Sequence, residues 1–152
     1  MKDSKSVLEI ASVVRSVLEK VTPELVRGIG NFPSFPFPRA WCQDTSRALG
    51  KLLCDRGEGG FELVFGKNPQ DHRKTHVWLE REGLIVDITA DQFEGSGTTS
   101  VMVTADRTWH DRWVQSRQEL DDVLVGHADY MIYWTVVEHP EWNGVGRAND
   151  VS

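Results

Sequence analysis

Apolar residues recur with a helical period near the start of the chain. Val7, Ile10, Ala11, Val14, Val17, Leu18 and Val21 follow i, i+3, i+4, i+7 spacing, which predicts an amphipathic helix over 6–21. Ser6 and Glu9 have the form of a capping box at its start. Thr22 and Pro23 then read as the N-cap and first position of a second, short helix ending by Gly28 or Gly30. Prolines at 33, 36 and 38 favour an extended run, which either lines a cleft or packs. The helical period returns from Arg39 to Arg56. Cys42, Ser46, Leu49 and Leu53 fall on one face. The prolines bar a much earlier start, and Gly57 is a natural stop.

Alternation then takes over. Phe61 to Phe65 reads as a short strand, and 66–74 as a polar loop. Thr75 to Glu80 and Leu84 to Thr89 alternate on either side of Arg81-Glu82-Gly83, which predicts a β-hairpin. Strand side chains have a period of two. An even loop of two or four residues therefore sets Val77, Leu79, Leu84, Val86 and Ile88 on one face, and His76, Trp78, Asp87 and Thr89 on the other. The four-residue loop makes His76 and Asp87 direct partners; the two-residue loop makes them diagonal neighbours. Residues 95–99 read as a loop and Ser100 to Thr104 as a strand. Gln115 to Val125 reads as a helix, Tyr130 to Val137 as a strand, and the tail beyond Pro140 as frayed. These elements describe one α+β domain over 1–152, with N-terminal helices and a cysteine-bearing helix packed on an antiparallel sheet.

Composition narrows the function classes. Hydrophobic content of 39% and charged content of 26% are those of an ordinary soluble globular chain. The net charge of −6 argues against nucleic acid as a partner, because phosphate binding needs clustered Lys and Arg. Charges interrupt the apolar residues of the N-terminus, so it does not read as a signal peptide. No apolar run approaches a membrane span. The first helix mixes Glu and Lys on its polar face, which argues against a membrane-surface role. Cys42 and Cys54 lie twelve residues apart in one helix, about 18 Å at ~1.5 Å per residue. That is too far for a disulfide, and two unpaired thiols suit a reducing cytoplasm.

The candidate chemistry is a nucleophile, a base and an orienter in that order. Cys42 sits at a helix start, where unpaired backbone N–H groups and the helix dipole favour thiolate. His76 and Asp87 share a face of the hairpin. Imidazole suits the base, and an aspartate behind it orients the ring and balances its charge. The backbone N–H of Cys42 is a candidate oxyanion donor. Against this, a buried cysteine is usually inert, and a His–Asp pair on a sheet is often only a satisfied hydrogen bond. His72 and His76 have zinc-like spacing only on a helix or a suitable loop, and a strand begins at Thr75. Cys54 reads as a helix residue without function, and the segments 109–111 and 127–129 read as packing and turn residues, although one of the two could line the cleft. Asp91, Gln92 and Phe93 follow the second hairpin strand and are candidates for a pocket wall.

The order of helix cysteine, strand histidine and strand aspartate resembles the transglutaminase-like branch of the papain-like thiol enzymes. The segment His76-Val-Trp-Leu-Glu80 is similar to the His-Ala-Trp-Val-Glu strand common there. Together with 46–57 and 63–66 it also resembles the leader peptidases of lasso-peptide biosynthesis. The resemblance covers about residues 39–93. It implies Cys42 as nucleophile, His76 as base and Asp87 as orienter, acting on a peptide or protein substrate with no metal or organic cofactor. Papain-type enzymes carry a glutamine six residues before the cysteine, and Pro36 stands there. Trp78 or Gln92 is left to supply a second oxyanion donor, and Trp41, Trp78 and Gln92 are the candidates for substrate contact. The expected activity is cleavage or transfer at an amide bond through an acyl-enzyme on Cys42: first a cysteine peptidase, then an amidase, glutamine deamidase or transglutaminase. The rival is a non-catalytic peptide-binding module on the same scaffold.

Overall fold

The computed structural model describes residues 4–28, 37–93, 97–120 and 126–145. Helix α1 runs Ser4–Gly28 and α2 runs Cys42–Asp55. Five strands follow: β1 Glu62–Lys67, β2 Thr75–Arg81, β3 Leu84–Asp87, β4 Met102–Thr104 and β5 Val114–Glu119. Helix α3, His127–Glu138, comes last. The strands form one antiparallel sheet in the order β4-β3-β2-β1-β5. The fold is therefore α+β, with three helices packed on a five-stranded antiparallel sheet.

One sheet face meets the helices. Leu63, Val77, Leu79 and Val86 join Val14, Leu18, Leu49, Leu53 and Ile132 in the main core. The opposite face carries a smaller cluster of Val64, Trp78 and Ile85, with Trp113 packed on it. Arg15 of α1 bolts the segment after β3 in place. Its Nη1 and Nη2 donate to Asp91 Oδ1 and Oδ2 at 2.8 and 2.9 Å, and Nη1 also reaches the carbonyl of Ile88 at 2.7 Å.

Several elements differ from the sequence reading. The helix of residues 6–21 and the short helix at Thr22-Pro23 are one continuous α1, so Ser6 lies inside the helix rather than at its cap. Proline removes one internal hydrogen bond, and the chain carries the helix through it. The segment 115–125, expected to be helical, supplies edge strand β5, paired residue by residue with β1. Its Gln, Arg and Glu residues favour a helix by propensity, but the open edge of β1 decides. Residues 121–125 lie outside the described residues, as does 31–36, the greater part of the expected extended run.

The segment 130–137, expected to be a strand, lies within α3. Ala128, Ile132, Tyr133 and Val136 fall on one helical face and are buried, so burial overrides β-propensity. Beyond Pro140 the chain does not fray at once: Trp142 and Val145 are buried in the main core. Among the described residues, no helix is long and apolar enough to cross a membrane.

Candidate active site

Helix α2 opens where the sequence predicts. Thr45 N–H donates to the Trp41 carbonyl at 3.0 Å, so the N–H groups of Cys42, Gln43 and Asp44 precede the first intrahelical bond. The preceding residue, Ala40, has φ +67°, a left-handed conformation that strains a non-glycine backbone. One turn into the helix, Ser46 Oγ donates to the Val77 carbonyl at 3.2 Å. That bond fixes the cysteine-bearing turn against the residue next to His76.

The hairpin uses the two-residue loop. Arg81 pairs with Leu84, and Glu82 and Gly83 turn the chain with φ of +50° and +83°, as a type I′ turn requires. His76 and Asp87 are thus diagonal neighbours on the face that carries Trp78. His76 Nε2 lies 2.7 Å from Asp87 Oδ2, and both side chains are fully buried. With Nε2 committed, Nδ1 is left toward Cys42 and Gln92. The Cys42 side chain lies near enough to His76 to raise its basicity, and Gln92 Nε2 stands 3.2 Å from Nδ1.

Burial alone would lower the basicity of His76. The charge and hydrogen bond of Asp87, and the nearness of Cys42, outweigh it and push the imidazole up to about 9. Burial alone would likewise raise Asp87. The charge of His76 and the hydrogen bonds from His110 and His76 hold its carboxyl well below the usual range instead. Phe93, Trp78, Trp109 and Trp113 surround the His76 ring, with centroids 5.2, 5.6, 5.6 and 5.8 Å away.

Gln92 is placed by three partners. Its Oε1 accepts from Ala40 N–H at 3.1 Å, and its Nε2 donates to the Thr89 carbonyl at 3.1 Å. The strained backbone at Ala40 therefore bonds directly to the side chain beside His76. Gln92 and Phe93 line the cavity that contains Cys42, as the sequence suggests for the pocket wall. Trp41 and Trp78 do not line it. Both are fully buried, and Trp78 Nε1 donates to Glu80 Oε2 at 2.8 Å. These two tryptophans stand as packing residues, and the Trp78 N–H is engaged elsewhere. Cys54 is exposed near the end of α2, and His72 is exposed in the loop before β2.

One residue escapes the sequence reading. His110 Nε2 lies 2.7 Å from Asp87 Oδ2, the same oxygen that holds His76. His110 is fully buried, and its Nδ1 has no hydrogen-bond partner among the described residues. Its sequence neighbours, Trp109 and Asp111, gave it the look of a turn. A buried carboxylate needs more than one donor, and that requirement is the one signal that could have called for such a partner. Comparison of the chain with protein-family models, with curated proteins and with solved structures finds no match.

Proposed function

We propose that the protein is a thiol-dependent amide-bond hydrolase or acyltransferase of the transglutaminase-like kind, and first of all a cytoplasmic cysteine peptidase. The observation that carries this reading is the buried His76–Asp87 hydrogen bond of 2.7 Å with Cys42 near the same imidazole. A thiol and a carboxylate on either side of one imidazole is the arrangement that a nucleophile, base and orienter would use, which supports this reading.

His76 takes the thiol proton, and the Cys42 sulfur attacks the carbonyl carbon of the substrate. The C–N bond breaks as the imidazolium returns its proton to the departing amine. The backbone N–H of Cys42 is available to the developing oxyanion. Water then attacks the thioester, losing its proton to His76; the C–S bond breaks, the Cys42 sulfur recovers that proton from the imidazolium or pairs with it as thiolate, and the acid product leaves. An amine in place of water gives transfer, and a glutamine side chain as acyl donor gives deamidation. Asp87 holds the ring and balances its charge, while His110 and the Thr89 N–H hold Asp87. The protein's two cysteines, neither in a disulfide, support a reducing compartment.

Iodoacetamide labelling followed by peptide mass spectrometry tests the central claim. Cys42 is half-buried and Cys54 is exposed, so access alone favours Cys54. An activated Cys42 should nevertheless react faster near neutral pH, and should lose that advantage in His76→Ala. Labelling that follows exposure in both proteins would remove the catalytic reading and leave the peptide-binding one. Incubation of native protein and Cys42→Ala with peptide mixtures then identifies the acyl donor.

A further inference from the structure

Three contacts fix which way the Gln92 carboxamide lies. The Ala40 N–H can only donate, so Oε1 faces it, at 3.1 Å. The Thr89 carbonyl can only accept, so Nε2 faces it, at 3.1 Å. Nε2 also stands 3.2 Å from His76 Nδ1. One carboxamide thus spans the gap between a backbone donor two residues before Cys42 and the free nitrogen of the candidate base. Ala40, Cys42 and Gln92 line the same cavity of about 490 Å³. A scissile peptide amide has the same O=C–N outline. Laid in place of Gln92, it would point its oxygen at the Ala40 N–H and its nitrogen at Nδ1, with the carbonyl carbon between them. Acyl transfer needs that pair: a donor for the oxygen, and the proton carrier beside the departing nitrogen. Two side-chain donors near the site are engaged. Trp78 Nε1 donates to Glu80, and Gln92 Nε2 is turned to Thr89 and His76. Ala40 also has φ +67°, a conformation that alanine rarely adopts and that clusters at ligand-holding sites.

We propose that the Ala40 N–H receives the carbonyl oxygen of the substrate, and that Gln92 fills the substrate's place in the free protein and swings out when it arrives. The proposal rests on the thiol-enzyme reading. It supplies the second oxyanion donor, beyond the Cys42 N–H, which that reading lacks. The contact with Nδ1 does not lock Gln92 in. Once His76 takes the thiol proton, two N–H groups would face each other across that gap, and the contact is given up. Gln92 is half-buried, at the end of the short helical turn Ala90–Gln92, and the cavity beside it gives it room to turn.

Isotopically labelled acetaldehyde tests this without a peptide substrate. The Cys42 sulfur bonds to the aldehyde carbon, the π pair of the C=O bond moves to the oxygen, and the thiol proton reaches that oxygen through His76. The product is a hemithioacetal whose oxygen stands in for that of the substrate. Its carbon signal gives the affinity by nuclear magnetic resonance, and hydrogen exchange at the Ala40 amide reads the donor. Gln92→Met keeps the length of the side chain and removes its hydrogen bonds. In that variant the Ala40 N–H should exchange about three- to tenfold faster than in native protein, as for the loss of one ordinary hydrogen bond. The adduct should form about three- to tenfold more tightly, because nothing has to be displaced. Exchange at Ala40 should then slow again, and with Cys42→Ala added acetaldehyde should leave it unchanged. Weaker adduct formation in Gln92→Met would make Gln92 itself the oxyanion donor and overturns the proposal. Exchange at Ala40 that ignores the substitution or the adduct overturns it as well. Melting curves check the fold, and Gln92→Ala takes the same measurements if Gln92→Met is unfolded. An adduct with Ala40 unmoved removes the donor and leaves the thiol enzyme standing; no adduct on Cys42 in either protein sinks the thiol-enzyme reading and this proposal with it.

Discussion

Asp87 receives a second imidazole: His110 Nε2 approaches Oδ2 to 2.7 Å, from 23 residues along the chain. This contact leaves the carboxylate little rotational freedom, because Oδ1 is also bound, by the Thr89 N–H at 3.0 Å. His110→Phe keeps a ring in the site and deletes the donor. Stability should fall by about 1–3 kcal/mol, the usual cost of an unmet bond to a buried charged group. Alkylation of Cys42 should slow about tenfold, because His76 loses a fixed acceptor. Melting curves beside iodoacetamide rates check both; a folded variant as reactive as the native protein would remove His110 from the working site.

Asp87→Asn should be severe. Asparagine would serve well enough if His76 were the only neighbour. Three donors converge on this carboxylate, however, from His76, His110 and the Thr89 backbone. An amide offers one acceptor oxygen, so its NH₂ must face either the Thr89 N–H or both rings. We expect a loss of about 1–3 kcal/mol, and a loss of reactivity toward the 10²- to 10⁴-fold range typical of general-base removal. A variant with native melting behaviour and a rate within threefold would contradict this account.

Stability should peak in mildly acidic solution. His76 is raised when folded, to about 9 from an ordinary 6.5. Its contribution is complete below about 6.5 and is lost as pH rises through about 9. Glu80 shifts the other way. Burial alone would raise it, but hydrogen bonds from Arg107, Trp78 and Arg117 hold it at about 2. Its contribution is present above the ordinary 4.5 and is lost as pH falls through about 2; Asp87, also lowered, acts in the same direction. Melting temperature should therefore be highest between about pH 4.5 and 6.5. Glu80→Gln should flatten the acid limb, and a native curve level from pH 6.5 to 9 would rule out the assigned His76 environment.

Gly66→Ala should disturb the site without touching its titrating groups. Gly66 pairs with His76 across β1 and β2. A Cβ there would stand 2.8 Å from both Trp113 Cβ and the Trp78 ring, closer than carbon atoms tolerate. These rings enclose His76, so the collision should cost about 1–3 kcal/mol and change the near-ultraviolet circular dichroism. An alanine variant with an unaltered aromatic spectrum and melting point would mean that the wall is looser than its spacing indicates.

Much of the site was legible because its logic is local. Prolines and Gly57 bound the cysteine helix, and the period of two carries His76 and Asp87 to one face whichever even loop is used. The loop length itself followed from Glu82 and Gly83 tolerating positive φ, which only the backbone reveals. His110 was hidden because it lies in a segment with no regular period, 23 residues from its partner Asp87. The tryptophans misled for another reason. An aromatic beside a nucleophile suggests a binding wall, but Trp41 and Trp78 are consumed by the two cores. The exchanged assignments at β5 and α3 share one cause. Each segment's intrinsic preference was overruled by what lay next to it: an open strand edge for β5, and a buried stripe from Ala128 to Val136 for α3.

The turn at Glu82 and Gly83 has a bearing on descent. One residue gained or lost there, without a compensating bulge, would send every side chain of β3 to the opposite face. Asp87 would then point into the helical core and Val86 toward His76. Lineages that keep the site are thus confined to changes of an even number of residues in this turn, or to paired changes elsewhere in the strand. A two-residue turn at the end of the hairpin away from His76 thus filters the insertions and deletions that such a gene can survive.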